Sequence, residues 1–108
     1  MKILFVCSRN EWRSRTAEKI FKDNGHHEIR SAGTAADARI KMNEKLIMWA
    51  DLIFVMEKRH KEILQQRFPQ ALAGKEVIIL GIEDNYEYMD AELIEILSAS
   101  VLPYLHSR

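Results

Sequence analysis

The sequence predicts a three-layer α/β/α fold, in which helices cover both faces of a four-stranded parallel sheet. Three apolar runs, residues 2–6, 52–56 and 77–80, are typical of strands buried on both faces. Residues 27–31 are less apolar and indicate a shorter strand at an edge. Helical patterns alternate with these strands four times, which favours parallel strands joined by right-handed crossovers.

Four helices are expected between and after the strands. Ser14, Asn43 and Asp90 are residue types that cap helix N-termini by accepting a backbone hydrogen bond. Residues 24–25, Asn-Gly, favour the end of the first helix, and Pro69 stops the third. The predicted helices cover residues 14–24, 43–49, 57–67 and 90–102.

The composition is that of an ordinary globular protein. Its 108 residues suit one domain, residues 1–108, and 47% of them are hydrophobic. Sixteen basic residues balance sixteen acidic ones, so the formal net charge of zero gives no support for a nucleic-acid partner. No apolar run has transmembrane length, and residues 2–6 are too short for a signal-peptide core. We therefore expect a cytoplasmic protein without a membrane partner.

Cys7 is the only cysteine, so an internal disulfide is excluded. It ends the first apolar run, and Arg13 and Ser14 follow after five intervening residues. A loop between a strand and a helix N-terminus can surround a phosphate-like anion with backbone N–H groups. Arg13 can bind two oxygens of that anion, and the same positive field favours the nucleophilic thiolate of Cys7. This segment predicts a phosphate-binding loop with a reactive thiol.

Asp84 is the candidate proton donor. It follows the fourth predicted strand, and ligands of parallel sheets bind at the carboxyl ends of the strands. Cys7 lies at the same edge, so Asp84 is expected to lie over it. Cleavage of a phosphate ester needs a proton on the leaving oxygen, which a carboxylic acid can supply. Glu83 and Asp90 are nearby alternatives, although Asp90 is better explained as a helix cap.

The segment Cys7-x5-Arg13-Ser14 after a strand resembles the signature of low-molecular-weight protein tyrosine phosphatases. Residues 16–18, 31–34, 55–57 and 82–86 are similar to further motifs of that family, in the same order along nearly the whole chain. The resemblance implies a phosphatase-I-like fold with strand order 2-1-3-4. It also implies hydrolysis through a phosphocysteine, without metal or cofactor, and a phosphorylated protein or small phosphomonoester as partner. It leaves the oligomeric state open.

The resemblance also assigns roles to residues. Cys7 would be the nucleophile, Arg13 would bind the phosphoryl group and Asp84 would donate the proton. Asn10 would hold the shape of the loop, and Ser14 would assist the thiolate. The set expected to bind phosphate or substrate is Ser8, Arg9, Asn10, Glu11, Trp12, Arg13, Ser14 and Tyr86.

Several positions depart from the family pattern. Arg9 stands where the family usually has glycine, and Trp12 replaces its second loop cysteine. Glu83 replaces a proline before the general acid, and residues 35–41 are an abbreviated segment that helps to wall the substrate pocket in the family. The wall would then be absent here, or supplied by Trp12 and Tyr86. Phosphotyrosine, phosphoarginine and other substrates all stay open.

Two other functions compete with phosphatase activity. The same loop could accept arsenate, but the single cysteine means that arsenate reduction would require an external thiol. Alternatively, the protein could bind phosphate or phosphopeptides without turnover.

Overall fold

The computed structural model describes residues 1–22 and 26–106. Within these residues, four parallel strands form one sheet in the order β2-β1-β3-β4. This confirms the predicted sheet, its strand order and the edge position of the second strand. The strands are β1 (Lys2–Cys7), β2 (Glu28–Gly33), β3 (Leu52–Val55) and β4 (Glu76–Ile79).

Five helices occur in the described part of the chain. None of them is both long enough and apolar enough to cross a membrane. The predicted end of the first helix at residues 24–25 lies outside the described residues. The helices are α1 (Arg13–Phe21), α2 (Glu44–Trp49), α3 (Lys58–Arg67), α4 (Pro69–Leu72) and α5 (Ala91–His106).

Each face of the sheet carries its own hydrophobic core, because successive side chains of a strand point to opposite faces. On β1, Ile3 and Phe5 join the core that includes residues of α1 and α5. Leu4 and Val6, between and after them, join the core that includes residues of α2, α3 and α4. All four side chains are fully buried. This arrangement confirms the predicted helices on both faces.

Two of the predicted helix caps are present. The side chain of Asn43 accepts a hydrogen bond from the backbone N–H of Leu46 at 2.9 Å. The carboxylate of Asp90 accepts one from Glu92 N–H at 2.8 Å. Both contacts satisfy backbone donors that the first turn of a helix leaves unpaired.

The predicted cap at Ser14 is wrong. Helix α1 begins one residue earlier, at Arg13, and Trp12 occupies the cap position without a side-chain cap hydrogen bond. Ser14 is fully buried, and its hydroxyl contacts the thiol of Cys7 instead. A buried hydrogen bond inside the site therefore takes the place of a local cap.

The predicted end of the last helix near Leu102 is also wrong. Helix α5 continues through Pro103 to His106. An apolar stripe of residues four apart, which lie on one face of a helix, extends past the proline. Burial of that stripe against the sheet offsets the hydrogen bond that Pro103 cannot donate. Its members are Leu93, Leu97, Val101 and Leu105.

Candidate active site

A pocket of about 130 Å³ opens at the carboxyl end of β1. The loop of residues 8–12 leaves β1 and returns to the N-terminus of α1 around this pocket. Asp84, from the loop after β4, closes the lining, as expected for loops that share one edge of a parallel sheet. The lining residues are Cys7, Ser8, Arg9, Glu11, Trp12, Arg13 and Asp84.

Cys7 is linked to a short chain of buried hydrogen bonds. The amide nitrogen of Asn10 donates to the Ser14 hydroxyl at 2.7 Å, and that hydroxyl lies 2.9 Å from the Cys7 sulfur. Because the Ser14 oxygen accepts from Asn10, its own proton is available to the sulfur. The carbonyl of Ala32, at 3.4 Å, is the more distant acceptor. Ser14 can therefore stabilise a negative charge on the thiolate.

Asn10 has the backbone conformation that the turn of the loop requires. Its φ of 59° lies in the left-handed region, which asparagine tolerates better than most residues. The side chain is fully buried, and the Asn10 carbonyl accepts a hydrogen bond from Arg39 Nε at 3.0 Å. Asn10 thus shapes the loop from beneath and does not line the pocket.

The abbreviated segment after β2 supports the loop from behind. Backbone N–H groups of Thr34 and Ala35 donate to the carbonyls of Cys7 and Ser8, at 3.0 and 2.8 Å. Gly33 makes this contact possible, because a Cβ atom there would lie 2.4 Å from the Ser8 carbonyl oxygen. In the described part of the chain, residues 35–41 contribute no lining to the pocket.

The guanidinium of Arg13 is buried and fixed. Its Nη1 donates to the Glu57 carboxylate and, at 2.8 Å, to the Ile82 carbonyl. Hydrogen bonds from Arg59 and then Arg13 outweigh the opposing effect of burial and lower the pKa of Glu57 to about 2. A carboxylate that stays ionised therefore orients Arg13 toward the pocket. Glu57 lies two residues after the end of β3, at the same sheet edge as Cys7, and this position was the signal in the sequence that it could reach the site.

Asp84 lies where the sequence places it, at the mouth of the pocket. Its side chain is 53% exposed, and its Oδ1 is 3.7 Å from Arg13 Nε. The loop that carries Asp84 is anchored further on, where Met89 N–H donates to the Thr16 hydroxyl at 2.9 Å. At the start of the same loop, Ile82 N–H donates to the Met56 carbonyl at 2.8 Å. Asp84 is therefore exposed to a ligand while its loop is held at both ends.

Two aromatic residues expected at the pocket occupy different environments. Trp12 is 44% exposed and lines the pocket, so it supplies a wall. Tyr86 packs against the core under α1 and α5 and borders a separate surface depression beside Gly81 and Ile82. The structure thus does not bring Tyr86 into the pocket with Cys7. Because Tyr86 lies far from the loop along the chain, the sequence could not show whether it reaches the pocket.

Arg9 fits a position that the family usually gives to glycine. The described non-glycine residues with a positive φ are Asn10 and Met89, so Arg9 needs no left-handed backbone. Its side chain points outward to an ion pair with Asp37 at 3.8 Å. The Arg9 carbonyl accepts a hydrogen bond from Arg39 N–H at 2.9 Å. An arginine here therefore alters the rim of the pocket and leaves the path of the loop intact.

His60 contacts the loop without having been expected there. It is fully buried, and its Nε2 lies 3.0 Å from the Ser8 hydroxyl. Burial, followed by the charge of Arg13, lowers the pKa of His60 to about 4. Across residues 1–22 and 26–106, no group of three potential ligands among His, Cys, Asp and Glu is placed to hold a metal ion.

Known proteins are similar to this chain in sequence and in fold. Residues 2–48 match the family model described as low molecular weight phosphotyrosine protein phosphatase. The protein-arginine-phosphatase of Bacillus subtilis (strain 168) is 30% identical, and the match covers 63% of this chain and 63% of that protein. The chain thus spans about 63% of the length of this curated relative.

Solved structures extend the likeness to nearly the whole chain. Vibrio vulnificus Wzb, in complex with benzylphosphonate, is 23% identical with a TM-score of 0.81, covering 99% of this chain and 98% of that one. The YwlE arginine phosphatase from Geobacillus stearothermophilus is 22% identical with a TM-score of 0.74, covering 98% and 93%. At these identities the structures show a common fold. The chain is thus similar in sequence, over residues 2–48, to the low molecular weight phosphotyrosine protein phosphatase family, and it has the fold of these solved structures.

Proposed function

We propose that this protein is a cysteine-dependent phosphatase that removes phosphoryl groups from phosphorylated proteins through a phosphocysteine intermediate. The observation that carries the proposal is the joint position of three side chains around one pocket. Cys7 supplies a sulfur next to a hydroxyl donor, Arg13 supplies a fixed cation, and Asp84 supplies an accessible carboxyl group. The activities named for the relatives favour phosphoryl transfer over arsenate reduction or binding without turnover.

In the first step, the Cys7 thiolate attacks phosphorus. The S–P bond forms while the bond from phosphorus to the leaving group breaks, and Asp84 gives its proton to the leaving atom. Backbone N–H groups of the loop and the Arg13 guanidinium hold the phosphoryl oxygens, where negative charge is concentrated. The hydrogen bond from Ser14 stabilises the negative charge of the attacking sulfur.

In the second step, water attacks the phosphocysteine. The Asp84 carboxylate, now deprotonated, takes a proton from that water, and a new P–O bond forms as the S–P bond breaks. The electron pair returns to the Cys7 sulfur, and the Ser14 hydroxyl stabilises it again. Inorganic phosphate leaves, and both catalytic groups are back in their starting protonation states.

Phosphotyrosine is the first candidate substrate. Trp12 supplies a flat apolar wall that suits an aryl ring, since aromatic pairs stack favourably. The Wzb structure, with its bound benzylphosphonate, has a ligand of that shape in the same fold.

Phosphoarginine is the second candidate, favoured by the charge of the pocket. The carboxylate of Glu11 lines it and suits a cationic guanidinium group. The curated relative is itself named a protein-arginine-phosphatase.

Phosphate release from paired peptides, identical except for phosphotyrosine or phosphoarginine, ranks the two candidates. A preference reversed by Glu11→Gln would support the role of the rim charge.

Hydrolysis of p-nitrophenyl phosphate tests the phosphatase activity itself. We expect the wild type to turn over this substrate between pH 5 and 8 without added metal, and Cys7→Ser to lose turnover, because the serine hydroxyl is far less acidic than the thiol. Full activity of Cys7→Ser would contradict the proposed mechanism. Phosphate binding without any turnover by the wild type would favour a binding module.

A further inference from the structure

His60 connects helix α3 to the first residue of the phosphate loop. It lies in the first turn of α3 and is fully buried. Its Nδ1 accepts a hydrogen bond from the backbone N–H of Glu57 at 3.0 Å. Its Nε2 lies 3.0 Å from the hydroxyl oxygen of Ser8, which lines the pocket beside Cys7. Both ring nitrogens are therefore engaged, one by the helix and one by the loop.

The contact with Glu57 determines which ring nitrogen carries the hydrogen. A nitrogen that accepts from a backbone N–H must present its lone pair, so Nδ1 of the neutral ring is unprotonated. Burial, then the neighbouring charge of Arg13, lowers the pKa of His60 to about 4, so the ring is neutral near pH 7. The hydrogen of the neutral ring is then on Nε2, which donates to Ser8.

The Ser8 hydroxyl can donate a hydrogen bond to a ligand in the pocket. Because its oxygen accepts from His60 Nε2, its own hydrogen is available to another acceptor. Ser8 is only partly buried and borders the space in which the phosphoryl oxygens would lie. We infer that the Ser8 side chain is an additional hydrogen-bond donor to the bound phosphoryl group, and that His60 is the positioning residue that directs it. This inference rests on the proposed function.

The same helix terminus also fixes the other end of the loop. Glu57, the cap residue of α3, binds the Arg13 guanidinium, while His60 binds Ser8. Glu57 and His60 additionally form a reciprocal capping box. Two phosphate-contacting side chains from opposite ends of the loop are thus held at a fixed separation by one rigid turn, which favours a preformed anion site.

Two substitutions of His60 separate its two hydrogen bonds. The Oδ1 atom of asparagine can replace Nδ1 and keep the contact with the Glu57 N–H, but asparagine is too short to reach Ser8. The amide nitrogen of glutamine can replace Nε2 and donate to Ser8. The test measures the dissociation constant for inorganic phosphate by calorimetry, in the wild type, His60→Asn, His60→Gln, Ser8→Ala and the double variant Ser8→Ala/His60→Asn.

We expect Ser8→Ala and His60→Asn each to weaken phosphate binding roughly tenfold, the effect of one hydrogen bond to a charged group. The double variant should be no weaker than Ser8→Ala, because His60 acts through Ser8. His60→Gln should recover much of the affinity that His60→Asn loses. If His60 had a purely structural role, the phosphate affinity of the variants would instead follow their free energy of unfolding. Urea denaturation of the same variants measures that free energy.

Unchanged phosphate affinity in Ser8→Ala would overturn the inference, even if the His60 variants fail to fold. Additive losses in the double variant would overturn the positioning role of His60. Phosphate binding needs no turnover, so the two proposals can fail separately. An active enzyme without these affinity changes contradicts only this inference. An inactive protein that shows them contradicts only the phosphatase activity.

Discussion

At the scale of single residues, Asp84 can be distinguished from its neighbour Glu83. Only the first of these two carboxyl groups borders the pocket with Cys7, while Glu83 borders a separate depression. We expect Asp84→Asn to lower kcat for an unactivated phosphate ester about 10²- to 10⁴-fold, the usual contribution of a general acid. Glu83→Gln is the matched control and should keep near wild-type kcat. A large loss of kcat in Glu83→Gln, with little change of kcat in Asp84→Asn, would show that Glu83 is the proton donor.

Two kinds of site residue could be predicted from the sequence: those within one short stretch of chain, and Asp84, whose position after a strand places it at the same sheet edge. Cys7 and Arg13 are separated by one loop, and the motif spacing alone suggests that they face one anion. Glu57 and His60 were overlooked because their partners lie 44 and 52 residues away. A charged helical segment is typical of a solvated face, and only the packing of α3 against the loop shows otherwise.

At the scale of elements, the close approach of β2 to the phosphate loop depends on Gly33. A methyl group there would meet the Ser8 carbonyl oxygen at 2.4 Å and the Ala38 Cβ at 2.7 Å. We expect Gly33→Ala to reduce the free energy of unfolding by about 2 kcal/mol, as in overpacked sites, and to weaken phosphate binding because the loop must shift. Urea denaturation and phosphate calorimetry measure the two effects.

Gly74→Ala is the matched control for this substitution. Gly74 has a φ of 79°, and a Cβ there would have open space around it. We expect a loss of about 1 kcal/mol in unfolding free energy from backbone strain alone, with unchanged phosphate affinity. An equal effect of the two substitutions on phosphate affinity would show that Gly33 does not support the loop.

The strands and main helices could be predicted from the sequence because periodicity and apolar runs are local properties. Helix α4 was not predicted: Pro69 ends the pattern of α3, but it also begins the next helical turn. Helix α5 extends beyond its predicted end because the buried stripe that reaches Leu105 outweighs the cost of Pro103. Ser14 does not cap α1, because the thiol of Cys7 is its partner. For α5 and Ser14, tertiary packing overrode a local signal.

At the scale of the whole molecule, His60 couples folding to pH. In the folded protein its pKa is about 4, against about 6.5 for an unperturbed histidine. Between these values the unfolded chain binds a proton that the folded protein does not. The free energy of unfolding is therefore unaffected by the titration of His60 above pH 6.5, and it decreases by up to about 3 kcal/mol as the pH falls toward 4. Urea denaturation at pH 7 and pH 4.5 measures the decrease.

The asparagine variant isolates this contribution. Because His60→Asn has no titrating ring, its unfolding free energy should decline less between pH 7 and pH 4.5 than that of the wild type. Glu57 acts at lower pH, since its pKa of about 2 causes stability to be lost as the pH falls from about 4.5 through 2. Identical declines in the two proteins down to pH 4.5 would show that His60 is not kept neutral by the fold.

Transfer of the phosphoryl group to Cys7 is the central step of the proposed mechanism. With p-nitrophenyl phosphate, the leaving group needs little protonation, so Asp84→Asn should form the intermediate and then hydrolyse it slowly. The decisive measurement is mass spectrometry of this variant after an acid quench, with Asp84→Asn/Cys7→Ala as the control. We predict a phosphoryl group on the peptide that contains Cys7, and none in the control. Continued turnover with no phosphoryl group on Cys7, or with one on another residue, would contradict the proposed mechanism.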